Sequence, residues 1–398
     1  TTVTTGDAEM SPEVITSTTH QYGVASTFTF TDTSSTWMSG TVQLAANAGT
    51  SESGQGGIVQ LNIGNVNIAG KGDTRWKNVL IDLSSSTYTD PDSVETTPGA
   101  ATELVLGVVG DATVSGVEGD ANSSIVSDVA ASSSRTSPTL TVGNDSQNYT
   151  FEGTVGKGNF YTGGQATRVE TRTDIYGSSS GDNVLQSSST TVEETNMQQM
   201  GEGRLSLVKV GSNTQSFTGS AWLDSVQVQQ GSLVLGGEHT SINSLHMSAG
   251  TSVVTENEET HIGSATLDNA TLTMSGTAEI DALTLSNGAV LTQTGNMTLG
   301  SAALYSGASM SLTGAVTEID ALTLGSDTHL TTGASVTLGS AVLYGGAEWS
   351  IGGDVNWSST PVRLVDMAGQ SVNITSAGGS HEWSTMTYLD FAGNSAYS

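Results

Sequence analysis

Along the C-terminal half of the chain, apolar residues fall at every second position in runs of three to five, as in Leu283/Leu285, Met297/Leu299 and Met310/Leu312. That alternation turns one face of an extended chain inward and leaves the other polar, which predicts short half-buried β-strands. Gly, Asn and Ser-Gly stand between the runs and supply the positive φ that tight bends require. The pattern also repeats. Glu279–Leu285 returns as Glu318–Leu324, 39 residues on, and the register holds through Leu291/Leu330, Gly300-Ser301-Ala302/Gly339-Ser340-Ala341 and Leu304-Tyr305/Leu343-Tyr344. Each unit is itself double, because a shift of 19 places Leu285 on Leu304, Leu291 on Met310 and Gly295 on Gly314.

Strands this short, with a bend every six or seven residues and a cycle closing at 19–20, describe one coil of an all-β, right-handed parallel β-helix with protruding loops. A leucine-rich repeat has a similar period but needs an Leu-x-x-Leu-x-Leu-x-x-Asn frame, which the chain lacks. Helical repeats are excluded by the alternation and by the Thr, Val and Gly bias. At about 20 residues and 4.8 Å per coil the rod has an upper limit of roughly 20 coils and 90 Å.

Three regions follow. Residues 1–200 are an irregular β-helical part with long loops, 201–356 the regular repeats (units 241–278, 279–317 and 318–356), and 357–398 a cap or linker. The first region has strand-like runs at Thr27–Phe30, Val42–Leu44, Ile58–Ile63, Val79–Leu83 and Leu104–Leu106. Ser84–Ala101, Gly119–Pro138 and Arg172–Gly201 read as loops, the last as a mobile arm. The last region concentrates Trp357, Trp383, Tyr388 and Phe391, as the end of a solenoid needs.

Composition refines the picture. Only 35% of residues are apolar and the net charge is −29, which in a globular chain suggests disorder. A solenoid buries only a thin column and tolerates both. The acidic balance excludes nucleic acid and anionic lipid as partners, since those need basic patches. The absence of Cys is compatible with secretion in a large ladder-bonded chain. No apolar run approaches the length of a membrane span. Thr1–Thr5 has neither the basic nor the apolar stretch of an export signal, which predicts that any such signal has been removed or omitted.

One segment carries a family pattern. Gly203–Thr214 contains Gly-Arg-Leu-Ser-Leu and Lys209-Val210-Gly211, leads into Phe217-Thr218-Gly219, and is followed by the frame Gly231-Ser232-Leu233-Val234-Leu235-Gly236. It resembles the autotransporter-associated β-strand repeat, with Asn148–Gly153 as a weaker echo. The resemblance implies a β-helical passenger exported to a bacterial cell surface. The alternating ten-residue strands of the family's translocator barrel do not appear, and its repeat has no catalytic residue to carry over.

Candidate chemistry is sparse. His20, His239, His246, His261, His329 and His381 sit in no nucleophile elbow, and those of the repeats differ in coil phase, which predicts that they point to different faces. Beyond Val210 the only basic residue is Arg363, too little for the charge stabiliser of a polysaccharide lyase. Lys71–Lys77, with Asp82 nearby, is either a solvated turn or a glycan subsite with Trp76 as stacking platform. Glu279/Glu318 and Asp281/Asp320, with Glu256, Glu258 and Glu259, form an acidic outer face on which calcium is possible, although equivalents two coils apart are too distant for one ion. Tyr305 and Tyr344 are candidate contacts for sugar or protein. The expectation is a secreted or cell-surface, non-catalytic scaffold or adhesin that uses no cofactor and meets a host or neighbouring-cell protein or glycan. The alternative is a carbohydrate-active or carbohydrate-binding β-helix using the N-terminal half.

Overall fold

The computed structural model describes residues 2–5, 13–22, 26–29, 39–44, 59–64, 71–84, 88–89, 96–97, 102–107, 111–127, 136–156, 161–162, 166–179, 182–195, 198–199, 205–333, 335–357, 362–365, 370–376 and 381–382. It is an all-β parallel solenoid of about 10 turns. Two parallel sheets of 18 and 13 strands run along it, and from Ala221 to Ile351 each turn contributes one long strand to the first and a four-residue strand to the second. From Thr214 to Ile351 each short strand pairs in parallel with the next at an offset of 18–20 residues, the period read from the sequence.

One coil shows how residues set this geometry. In Thr277–Ser286, Ala278 and Ile280 face inward, Asp281 and Ala282 both face outward, and Leu283 and Leu285 face inward again. Two consecutive outward residues reverse the phase of a strand, so the chain turns a corner at Asp281. Ladder pairing skips that position in every regular coil: Asn243, Gly263, Asp281, Gly300, Asp320 and Gly339. A second bend follows the long strand, where Asn269, Asn287, Ser306 and Asp327 take φ of 46–58°. The short strand Val290–Gln293 then buries Leu291 and Gln293.

The interior is a set of side-chain ladders. One runs Ile242, Ile262, Ile280, Leu299, Ile319, Leu338. Another runs Met247, Leu267, Leu285, Leu304, Leu324, Leu343. A third alternates in size: Ala265, Leu283, Ala302, Leu322, Ala341. Where it is small, as at Ala302, the same coil carries the bulky Met297; where it is large, as at Leu283, the coil carries Ala278. Between these two coils the rung volume is kept while the rungs interdigitate, which is what close packing demands. The corner alternates as well. The carbonyls of Asp281 and Asp320 project at Gly300 and Gly339, where an added Cβ would collide, and accept hydrogen bonds from Ser301 Oγ at 3.3 Å and Ser340 Oγ at 3.2 Å. These two alternations explain why the repeat is 39 residues and not one coil.

The irregular half obeys the same plan. The runs near residues 27, 42, 59, 79 and 104 are the strands Ser26–Thr29, Ser39–Gln43, Val59–Ile63, Asn78–Leu83 and Thr102–Leu106, all in the parallel ladders. The arm expected at Arg172–Gly201 is different from a loop. Ala166–Ser179 and Asp182–Thr195 form a long antiparallel hairpin, and its first strand also pairs with Glu13–Tyr22. Thr167, Val169, Thr171, Thr173 and Ile175 alternate with charged residues there, a strand pattern masked by the Ser and Thr content. Gly119–Pro138 likewise contains the ladder strand Ser124–Ser127, while most of Ser84–Ala101 lies outside the described residues. Parallel pairing also continues past Trp357, in Val362–Val365, Asn373–Ser376 and His381–Glu382. Trp383, Tyr388 and Phe391 lie outside the described residues.

Candidate functional site

Because successive rungs are in register, outward side chains stack in columns, and any chemistry the coils display is the chemistry of a column. On the first arm of the long strands one column reads Ser241, His261, Glu279, Thr298, Glu318, Thr337. His239 and Glu259 occupy the neighbouring column, two residues earlier, with His239 Nδ1 3.1 Å from Glu259 Oε2. His261 Nε2 lies 3.6 Å from Asp281 Oδ1 at the corner. The donor atoms of His261, Glu279 and Asp281 all fall within 4.8 Å of one another. On the short sheet His329 Nδ1 meets Glu348 Oε2 at 2.8 Å, again one rung away.

The expectation that the repeat histidines point to different faces therefore needs correcting. His246 and His329 do lie elsewhere, but His239 and His261 share a face, since a two-residue step along a strand keeps the outward phase. Each of His239, His261 and His329 meets a carboxylate because Thr, His and Glu interchange at outward positions that the ladder aligns. These pairs are open to water: the six side chains retain 42–66% of their exposure. The intervening residue between Glu279 and Glu318 is Thr298, so the two carboxylates stand two rungs apart, as the repeat predicts.

Tyr305 follows the inward Leu304 and is 43% exposed, one of two large apolar residues so exposed among the described residues. In the same column stand Gly325, where an added Cβ would crowd the Tyr305 ring, and then the half-buried Tyr344. The glycine between them leaves an aromatic step with a bare backbone floor.

Trp76 is not a stacking platform. Its side chain is fully buried, and Asp73, also fully buried, accepts hydrogen bonds from Trp76 Nε1 at 3.1 Å, Arg75 Nε at 2.7 Å and Arg75 Nη2 at 2.6 Å. The turn is not solvated throughout: Asp73, Arg75 and Trp76 are buried, while Lys71 is exposed and Lys77 half-buried. It is a 3-10 turn, Thr74–Trp76, whose one acid neutralises its arginine inside the coil. A charged Lys-Gly-Asp-Thr-Arg-Trp-Lys string hides such an arrangement, because burial there depends on a partner two residues away.

In the segment with the family pattern, of which Gly203 and Arg204 lie outside the described residues, Lys209, Phe217 and Gly219 each have a structural task. Lys209 is fully buried, and its Nζ donates to the carbonyls of Val210 and Gly211 at 2.5 and 2.9 Å and to Asn213 Oδ1 at 2.8 Å. Burial lowers its pKa from 10.5 to about 8, against an opposing pull from Asp145. Phe217 packs edge to face on Phe151 at 6.0 Å. Gly219 passes over the carbonyl of Gly153. The echo at Asn148–Gly153 is thus the adjacent rung, with Tyr149–Phe151 paired to Gln215–Phe217 across 66 residues of sequence. Comparison with protein-family models, with curated proteins and with solved structures finds no match to this chain.

Proposed function

We propose that the chain is a non-catalytic, surface-displayed β-helical scaffold of the autotransporter-passenger kind, which makes contact with a protein or glycan of a host or neighbouring cell. The observation that carries this reading is the aromatic step Tyr305–Gly325–Tyr344, with an exposed ring just past the end of a ladder strand, where the Tyr305 N–H still bonds the Leu285 carbonyl of the rung before. Rigid aromatic side chains supply contact area at little entropic cost, and they stack on the apolar faces of sugars as readily as on protein. The outward columns of Ser, Thr, Glu and Asp keep the rest of the rod hydrated. The passenger assignment rests on the pattern in 203–236, in which Lys209, Phe217 and Gly219 have defined roles in the coil.

The test is binding of the purified chain to intact epithelial and bacterial cells and to a glycan array, with Tyr305→Ala/Tyr344→Ala as comparison. A tenfold or greater loss in the double variant, with circular dichroism unchanged, supports the reading. Equal binding by both proteins refutes the assignment of the contact. Turnover of a polyuronate or glycan by the wild-type chain refutes the non-catalytic reading.

A further inference from the structure

We propose that His261, Glu279 and Asp281 are a binding site for a divalent transition-metal ion, of which zinc is the test case. The three residues come from two adjacent rungs. His261 and Glu279 are ladder partners, and Asp281 stands two residues beyond Glu279 at the corner where the chain turns. Their backbone positions are therefore fixed by parallel pairing and not by loop conformation. Their donor atoms lie within 4.8 Å of one another, and the Nε2–Oδ1 distance is 3.6 Å. Donors around one tetrahedral zinc at its usual bond lengths of about 2.0–2.1 Å sit about 3.4 Å apart. Exposed side chains on a fixed backbone close that difference by small torsional changes.

The donor set selects the ion. One imidazole nitrogen with two carboxylates suits zinc, nickel or cobalt, whereas calcium takes six to eight oxygens and gains nothing from a histidine. Three protein donors leave at least one position for water or for a donor from a binding partner. Neighbouring Glu259 is engaged by His239 at 3.1 Å and is not required.

The repeat itself contains the control. Glu318 and Asp320 present the same carboxylate pair at the equivalent corner, but the rung before them offers Thr298 where Glu279 has His261. If acidity alone bound the ion, both corners would bind it equally. If the imidazole is required, only the first will. The proposal stands or falls independently of the adhesive reading above, since it concerns a different face and a different readout.

Isothermal titration of the tag-free chain with zinc chloride tests it. The expected result is one equivalent of zinc bound, with affinity lowered at least tenfold by His261→Thr and unchanged by Glu318→Gln/Asp320→Asn. Thr298→His should add a second equivalent. Circular dichroism checks that each variant is folded, and the His261 imidazole resonances in wild-type protein should shift on zinc addition and not on calcium addition. Zinc binding that survives His261→Thr overturns the site, as does wild-type protein that binds none. A Thr298→His chain that still binds one equivalent overturns the claim that the corner geometry suffices.

Discussion

Leu322 and Leu324 are neighbours on one strand, both buried to within 2% of full exclusion, yet truncating them should not cost the same. Leu322 lies between Ala302 and Ala341 in its ladder, whereas Leu324 lies between Leu304 and Leu343. Either Leu→Ala change removes the same three carbons, about 2.4 kcal/mol at about 0.8 kcal/mol each. The remainder depends on how far the surroundings fill the void. At position 322 the change leaves three alanines in succession, and rung spacing is fixed near 4.8 Å by the hydrogen bonds, so nothing can fill it. The total loss should approach about 4 kcal/mol. At position 324 two leucines can lean into the gap, and about 3 kcal/mol is expected. Urea denaturation followed by far-ultraviolet circular dichroism gives the loss, and amide exchange within 316–343 locates it, about a thousandfold faster for 4 kcal/mol. Thr323→Lys is the control, since its side chain faces out between Ala303 and Val342 and should leave stability within about 0.5 kcal/mol of wild type. A Leu322→Ala loss no larger than that of Leu324→Ala would refute the alternate-size packing. A loss below about 1 kcal/mol would refute the inward register itself.

Glycines separate two kinds of constraint: a Cβ at Gly295 would collide with the Gly276 carbonyl, whereas at Gly250, with φ of 76°, it meets nothing within 4 Å. Gly250→Ala should therefore cost about 1 kcal/mol of left-handed strain, and Gly295→Ala several times as much, read from thermal melting. Removing the acid that neutralises Arg75, by Asp73→Ala, should cost about 3–5 kcal/mol and expose the first coils to protease before the regular repeats are cut. Lys209 predicts a pH effect. Its native pKa of about 8 lies below the 10.5 of the unfolded chain, so between those values the unfolded chain holds more protons and stability rises with pH. Tyr149 limits the window from above, because burial and then the hydrogen bond to Asp145 raise its phenol above 10, and stability falls once the unfolded phenol ionises. Urea midpoints should thus rise from pH 8 to 10, and Lys209→Met should flatten that rise.

The coil was legible because its determinants are local and periodic. Alternation at Leu283/Leu285 fixes what faces inward, and the offset of 39 fixes the stacking, so the ladder follows without knowledge of distant contacts. The irregular half was less legible for a physical reason. Successive short strands there are separated by 32–66 residues, and a period cannot be seen across unequal insertions. The hairpin Ala166–Thr195 was hidden because its pattern uses Thr where the repeats use Leu. Trp76 was misplaced because burial of a charged string depends on the Asp73–Arg75 pair, which alternation does not reveal. Tyr305 was placed correctly outside, next to an inward leucine. The His261 cluster could have been found by writing the coils beneath one another at the 18-residue offset that places His261 over Glu279. The longer 39-residue unit conceals it, since it compares coils two apart.

That double unit bears on how such a rod acquires function. Inward positions and the corner are constrained in pairs of coils, through Ala302 beneath Leu322 and Gly300 beneath the Asp281 carbonyl, so a substitution there must be matched one rung away. Outward positions away from the corner carry no such coupling. At the column of Glu279, the residues Ser, His, Glu and Thr all occur on rungs whose backbone pairing is the same. A single outward change therefore meets its new neighbour at a fixed rung spacing, with no refolding of the coil. His261 opposite Glu279 is one outcome of that freedom, and Tyr305 over Gly325 is another. The surface chemistry of this solenoid is written one column at a time, on a core that must be written two coils at a time.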